Sequence, residues 1–499
     1  MSGQKTSRYV MGVTLVATLG GLLFGYDTAV ISGTVSSLDV VFIQPRGLPE
    51  MSANSLLGFC VASALIGCII GGACGGYLSS KYGRKKALLI AAALFLISAL
   101  GSAYPEFGFT AINETNDVPY YLSNYLIQFV IYRIIGGIGV GIASMVSPMY
   151  IAEITPAHIR GKMVSFNQFA IIAGQLVVYF VNYFIATNGD NTWLNMLGWR
   201  YMFLSEVVPA ALFFSLLLLV PESPRWLVLQ NKFSQAEVTL LKLLGEKSGK
   251  KELQNIVSSL ENRVVKGAPL LSFGLGVIVI GITLSVFQQF VGINVALYYA
   301  PEIFKSLGAS TDSALMQTII MGAINLSCTT IAIFTVDKYG RKPLQIIGAI
   351  GMAIGMFVLG TAFYANLSGT VALTGMLFYV AAFAISWGPV CWVLLSEIFP
   401  NAIRSQALAI AVATQWIANY IVSWTFPMMD KSSYLVEHFN HGFAYWIYGV
   451  MAILASLFMW KYVPETKGKT LEELELLWSK NGSQTVTSEV KISGERCTA

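Results

Sequence analysis

Three short phrases in this chain each occur twice, in the same order. Lys81-Tyr82-Gly83-Arg84-Lys85 returns letter for letter as Lys338-Tyr339-Gly340-Arg341-Lys342. Glu153-Ile154-Thr155-Pro156, closing on Ile159-Arg160, returns as Glu397-Ile398-Phe399-Pro400, closing on Ile403-Arg404. Pro221-Glu222-Ser223 returns as Pro464-Glu465-Thr466. The offsets are 257 (81 to 338), 244 (153 to 397) and 243 (221 to 464). Ordered matches at nearly one offset mean two homologous halves, so whatever the first half folds into, the second repeats.

Hydrophobic residues make up 55% of the 499-residue chain and charged residues 11%. Soluble domains carry about 25% charge. No soluble core hides this much apolar surface, so the solvent is lipid. A membrane helix needs about 20 apolar residues, and twelve candidates are present. They lie near 9–33, 55–80, 86–104, 124–151, 162–187, 199–220, 271–301, 312–337, 342–366, 370–399, 405–429 and 441–462. The expected fold is an all-α membrane protein of twelve transmembrane helices in two six-helix halves. The halves are 1–221 and 267–463, with a charged, helical cytoplasmic linker at 222–266 and a polar tail at 464–499. No small-residue cleavage site follows the first apolar run, which reads as a retained span rather than a signal peptide. Cys60, Cys68, Cys74, Cys328, Cys391 and Cys497 read as free, structural thiols, not metal ligands. A duplicated chain of this kind is the pattern of a carrier built from repeats.

The net charge of +5 is not a nucleic-acid signal, because the basic residues sit in short loops between apolar runs. Lys81, Arg84, Lys85, Lys86, Arg160, Lys162, Lys338, Arg341, Lys342 and Arg404 fall on one side with the linker. Glu106, Glu114, Asp117, Asp190 and Asp312 fall on the other. The positive-inside rule then makes both termini cytoplasmic.

Ionisable residues at bilayer depth are costly, about 2.5–3.5 kcal/mol on insertion scales. Asp27 in the first span and Arg133 in the fourth lie at similar depth and are expected to pair. Such a carboxyl suits proton coupling, and a static ion pair that fixes helix packing is the other reading. Glu206 in the sixth span is either a second coupling acid or a structural hydrogen-bond partner.

Uncharged polar residues gather on a few spans: Gln168 and Gln175 on the fifth, Gln288, Gln289 and Asn294 on the seventh, Asn325 on the eighth, Gln415 and Asn419 on the eleventh. Buried amides must be hydrogen-bonded, and each supplies both donors and acceptors, which suits a neutral ligand with many hydroxyls. Phe24, Tyr298, Trp392 and Trp416 share these helices and can stack on the apolar face of a sugar ring. Gly25, Gly292, Gly388 and Pro389 allow the helices to break beside them. Any one of these groups alone is as well explained by helix-to-helix bonding or interface anchoring.

The repeated loop charges also have two readings. Glu153, Glu397, Arg84, Arg160, Arg341 and Arg404, with Glu222 and Asp337, are placed for salt bridges that latch the inner mouth, and the basic members also set topology.

Gly83-Arg84-Lys85, Pro221-Glu222-Ser223-Pro224-Arg225-Trp226-Leu227, Gln288-Gln289-Phe290-Val291-Gly292-Ile293-Asn294 and Pro464-Glu465-Thr466-Lys467-Gly468 resemble the sugar porter family of the major facilitator superfamily over nearly the whole chain. Leu22-Leu23-Phe24-Gly25-Tyr26-Asp27, Ser165-Phe166-Asn167-Gln168-Phe169 and Trp387-Gly388-Pro389-Val390-Cys391-Trp392 are similar to its bacterial proton-coupled D-xylose members. That resemblance implies sugar contacts at Gln168, Gln288, Gln289, Asn294, Trp392 and Gln415. It implies closer surroundings at Phe24, Gln175, Tyr298, Asn325, Gly388 and Trp416. Asp27 beside Arg133 resembles the coupling acid, and facilitative animal relatives tend to carry a neutral residue there. One departure is Arg404-Ser405-Gln406, where the first half has Arg160-Gly161-Lys162.

The resemblance implies uptake of a monosaccharide, D-xylose foremost, with a proton across a bacterial inner membrane, by alternating access. No cofactor, metal or nucleic acid is expected, and a monomer in the bilayer suffices. A uniporter, a symporter of glucose, arabinose or galactose, and a non-transporting sensor are the alternatives. An enzyme is disfavoured, since His158, His438 and His441 all fall in loops.

Overall fold

The computed structural model describes residues 2–107, 122–156, 159–261, 270, 272–400 and 403–467, excepting the side chains of residues 2–8, 259–261, 337 and 405. Glu114, Asp117, His158, Cys497, most of the tail and the side chain of Asp337 lie outside that description. Among the described residues there are helices and no strand. Lipid supplies no hydrogen bonds, so a spanning backbone must satisfy its own, and the helix does this within one segment.

Twelve helices are long and apolar enough to cross a bilayer. They are α1 (Tyr9–Gly33), α2 (Glu50–Tyr82), α3 (Arg84–Ala103), α4 (Leu126–Ile154), α5 (Arg160–Ala186), α6 (Asn191–Leu219), α7 (Leu275–Tyr298), α8 (Thr311–Val336), α9 (Arg341–Tyr364), α10 (Gly369–Ile398), α11 (Gln406–Asp430) and α12 (Phe443–Tyr462). The largest departure from the expected bounds is α6, which starts at Asn191 instead of 199. A polar first turn and a π turn at Leu194–Gly198 precede the apolar run, and hydropathy does not register either. Between the halves run three short helices, Pro224–Leu229, Phe233–Leu244 and Glu246–Glu261. Trp226, Leu227, Ala236, Leu240 and Ile256 give them a small core of their own.

The repeat in the sequence is a repeat in space. In the first half α1 packs on α5, α2 on α4, and α3 on α4 and α6. In the second, α7 packs on α11, α8 on α10, and α9 on α10 and α12. The turns before α3 and α9 match in backbone as well as in letters: Gly83 has φ 98° and ψ 163°, Gly340 φ 92° and ψ 159°. Both lie in the left-handed region that glycine reaches without a Cβ penalty.

Within lipid the apolar effect does not drive helices together, so close packing must, and small residues permit it. A Cβ on Gly137 would lie 1.8 Å from the Ala64 carbonyl oxygen, and one on Gly67 2.0 Å from that of Ile134. The α2 and α4 backbones therefore touch. Gly25 and Gly174 do the same for α1 and α5.

Hydrogen bonds joining the two halves gather away from the basic loops. Lys431 pairs with Asp39 at 3.0 Å. Ser36 donates to Glu302 and accepts from Lys305. Trp424 Nε1 donates to the Ser55 carbonyl, and Ser433 to Glu50. At the basic-loop end the ion pairs Arg84–Glu153 and Arg341–Glu397 each stay inside one half. The halves are thus fastened at the end remote from the basic loops. His441, between α11 and α12, adds a bond to Asp430 at 3.3 Å. That hydrogen bond, and the Asp430 charge with it, raises the imidazole above its usual 6.5, against the opposing effect of burial.

Gly137→Ala should drive a methyl into the Ala64 carbonyl and cost about 1–3 kcal/mol, the range for overpacking, read as a lower thermal midpoint in detergent. A histidine whose folded pKa is raised contributes stability that is fully present below pH 6.5 and is lost as pH rises through the folded value. The thermal midpoint should therefore fall as pH rises above 6.5, and His441→Phe should lack that step.

Candidate functional site

Two long helices break near mid-membrane. α7 is interrupted between Phe290 and Ile293, where Gly292 takes φ 90°. α10 is interrupted at Ser386, between Ile385 and Trp387. Breaks free carbonyls, and at bilayer depth something must bond them. The Tyr379 hydroxyl donates to the Val291 carbonyl at 2.8 Å. Gln288 Nε2 donates to the Trp387 carbonyl at 2.9 Å. The backbone irregularity thus aims Gln288, which in turn accepts from Gln415 Nε2 on α11.

Around this pair the structure brings together most of the amides marked in the sequence. Asn294 Nδ2 donates to Gln289 Oε1 at 2.5 Å. Asn419 bridges the Tyr298 hydroxyl and Ser423. Gln175, Gln288, Gln289, Asn325 and Gln415 are all buried, each 8% exposed or less. Gln168 and Gly388 are half-buried. Phe24 of the first half meets Trp416 of the second, ring centroids 5.7 Å apart. Trp392 stands 39% exposed on α10. Two acceptor oxygens, Gln175 Oε1 and Gln415 Oε1, are buried without a partner among the described residues. An unsatisfied buried acceptor is costly, and a ligand rich in hydroxyl donors satisfies it.

The charged cluster lies in the first half. Arg133 Nη1 donates to Asp27 Oδ1 at 2.9 Å and Nη2 to the Asp27 carbonyl at 3.3 Å. Side-chain exposure is 1% for Arg133 and 0% for Asp27. Glu206 faces both from α6, its carboxyl within hydrogen-bonding reach of the Asp27 carboxyl. Arg133 also lies over the Phe203 ring at 5.3 Å. A carboxyl in such a place changes charge only by taking or releasing a proton, and its grip on the arginine changes with it.

The loop charges form two copies of one arrangement. Arg84 grips Glu153 with Nε and Nη2, both at 2.8 Å. Arg341 grips Glu397 at 3.1 and 2.8 Å. Glu222 accepts the backbone N–H groups of Arg84 and Lys85 at the start of α3, and Glu465 those of Arg341 and Lys342 at the start of α9. Ser223 donates to Glu153 and Thr466 to Glu397. Burial pushes the Glu222 carboxyl above its usual value, and bonds from Ser223, Lys85 and Arg84 oppose that shift. Glu465 and Thr466 were legible as repeat mates of Glu222 and Ser223, yet the motif reading left them out. Arg160 is exposed at the start of α5 with no ion pair among the described residues. Arg404 donates to the Phe399 carbonyl. Each half closes its own arginine–glutamate pair at the basic-loop end. Trp387 stood in a quoted motif but was given no role, since its contribution is a carbonyl freed by a helix break.

The family described as sugar (and other) transporter matches residues 13–478. The chain is 70% identical over 490 residues to the D-xylose-proton symporter of Escherichia coli (strain K12), covering 98% of this chain and 100% of that one. It is 40% identical to the glucose facilitated diffusion protein of Zymomonas mobilis, covering 96% and 99%. In three dimensions it superimposes on the inward-open conformation of the xylose transporter of E. coli with a TM-score of 0.85 and 67% identity, covering 94% and 100%. The chain therefore belongs to the sugar transporter family, the sugar porters of the major facilitator superfamily.

Proposed function

We propose that the protein carries D-xylose inward together with a proton across a bacterial inner membrane. The single observation that carries this reading is the buried Asp27–Arg133 pair standing beside a neutral, amide-lined site. A facilitator needs no ionisable carboxyl at that depth, and placing one there is costly. The amides face a substrate without charge, and the unpartnered oxygens of Gln175 and Gln415 accept its hydroxyls. Gln168, Gln288, Gln289, Asn294 and Trp392 make further contacts. Phe24, Tyr298, Asn325, Gly388 and Trp416 enclose them. The relative that shares 70% identity is a D-xylose-proton symporter.

The mechanism is alternating access by two rigid halves, residues 1–221 and 267–463, with both termini cytoplasmic. A proton neutralises Asp27 and weakens its hold on Arg133, so the loaded carrier reorients. The outer fastenings at Asp39, Ser36 and Glu50 then form, and the site opens toward the basic loops. On return, Arg84–Glu153 and Arg341–Glu397 brace the inner ends, with Glu222 at the start of α3 beside the first of them. The proton gradient drives the cycle without a cofactor, and one chain in the bilayer suffices.

Adding D-xylose to lightly buffered proteoliposomes should alkalinise the outside. Asp27→Asn should abolish that signal and uphill uptake while sparing xylose counterflow. Xylose entry without a pH change would make the protein a facilitator like its glucose relative, and a response to D-glucose or L-arabinose alone would replace the substrate. Gln415→Ala should weaken xylose binding by about tenfold to a hundredfold, the range for a hydrogen bond of this kind, measured by calorimetry.

A further inference from the structure

Ser98 and Ser102 stand one turn apart on the half of α3 remote from the basic loops. Both are fully buried, and neither hydroxyl has a partner among the described residues. Some buried hydroxyls elsewhere in the spans donate back into their own helix, as Ser63 does to Cys60, Thr28 to Phe24 and Thr318 to Ala314, while Thr14, Ser147 and Ser285 share with Ser98 and Ser102 the lack of a partner among the described residues. A buried hydroxyl that forgoes this bond needs another partner.

Gly136 on α4 shows what lies beside Ser98. A Cβ placed there would meet Ser98 Oγ at 2.3 Å and Asp27 Oδ1 at 3.2 Å. These two distances limit the Ser98–Asp27 separation to their sum, 5.5 Å, and no direct bond joins them. Two hydrogen bonds of about 2.8 Å in series reach across a separation of that size.

Beyond Ser102 the helix ends at an ion pair near the surface. The next residue, Ala103, gives its carbonyl to Arg200 Nη1, which also holds Glu106, whose side chain is 27% exposed. Phe42, Phe129, Trp199 and Phe203 pack ring on ring, with Phe203 under Arg133.

We infer that Ser98, with Ser102 one turn further out, relays the transported proton to Asp27 through a water held between Ser98 and the carboxylate. This rests on the symport reading above. The water gives one hydrogen to the Asp27 carboxylate and takes one from the Ser98 hydroxyl. Ser98 takes one in turn from the Ser102 hydroxyl, and Ser102 takes its replacement from hydronium in the external water. Water and hydroxyl end as they began, and Asp27 becomes a neutral acid. The titratable groups facing Asp27 from the other helices are Arg133 on α4, Glu206 on α6, Cys68 on α2 and Tyr298 on α7. None of them leads toward the outer surface along α3. Ser98 and Ser102 are positioning residues, and they act through Asp27.

The test compares Ser98→Ala with the unaltered protein in proteoliposomes, with Ser63→Ala as a control that removes a hydroxyl bonded to its own helix. Xylose-driven proton uptake should fall about tenfold, the factor that one charge-assisted hydrogen bond supplies. The optimum for uphill uptake should move to lower external pH, where more protons offset the poorer relay. Xylose counterflow should persist, and Ser63→Ala should behave as the unaltered protein. Full coupling in Ser98→Ala would overturn the relay. Equal loss of counterflow and coupling would overturn it too, by showing a packing role. An unaltered protein that moves xylose without protons would instead overturn the symport reading, and the relay with it.

Discussion

A backbone in lipid has no water to bond, so every N–H and C=O inside the bilayer must find a partner in the protein. Most features of this molecule follow from that constraint. It makes the twelve spans helical, and it makes each interruption conspicuous. Where α7 and α10 break, Tyr379 and Gln288 are committed to the freed carbonyls of Val291 and Trp387. Gln288 is thereby aimed at Gln415 and the centre of the bundle. The irregular backbone and the candidate sugar site are one piece of structure, because bonding the first orients the second.

The two halves share a packing scheme but not a chemistry. α1–α6 and α7–α12 pair in the same order, and each half caps its third helix with a carboxylate, Glu222 or Glu465. An acceptor at a helix N-terminus satisfies N–H groups that the helix cannot. Upon this shared scaffold the buried ion pair belongs to the first half, and most buried amides to the second. A change of charge in one bundle and binding of sugar in the other act on each other only through the seam between them. Phe24 against Trp416 lies on that seam, as does the Tyr179 hydroxyl bonded to the Leu297 carbonyl.

The seam is tight where glycine allows it. A Cβ at Gly58 would lie 2.1 Å from the Trp424 carbonyl oxygen, so α2 and α11 meet backbone to backbone across the halves. Rigid contacts of this kind have two arrangements and not a continuum. A carrier needs that property, since an intermediate opening at both ends would leak.

Much was legible in the sequence. The repeated phrases gave two halves, the apolar runs gave twelve spans, and intramembrane charge singled out Asp27, Arg133 and Glu206. These signals are local: a residue type at a depth, or a phrase at an offset, carries its meaning without knowledge of its neighbours. The start of α6 at Asn191 was missed because a π turn has no hydropathy signature. The carbonyl of Trp387, the room left by Gly136 and the lone hydroxyls of Ser98 and Ser102 were not legible either. Each of those depends on which atoms from distant segments come within a few ångströms, and on what they leave unbonded. Composition sets the solvent and the elements. Only packing decides which buried polar atoms are satisfied, because satisfaction is a property of pairs that the linear chain does not contain.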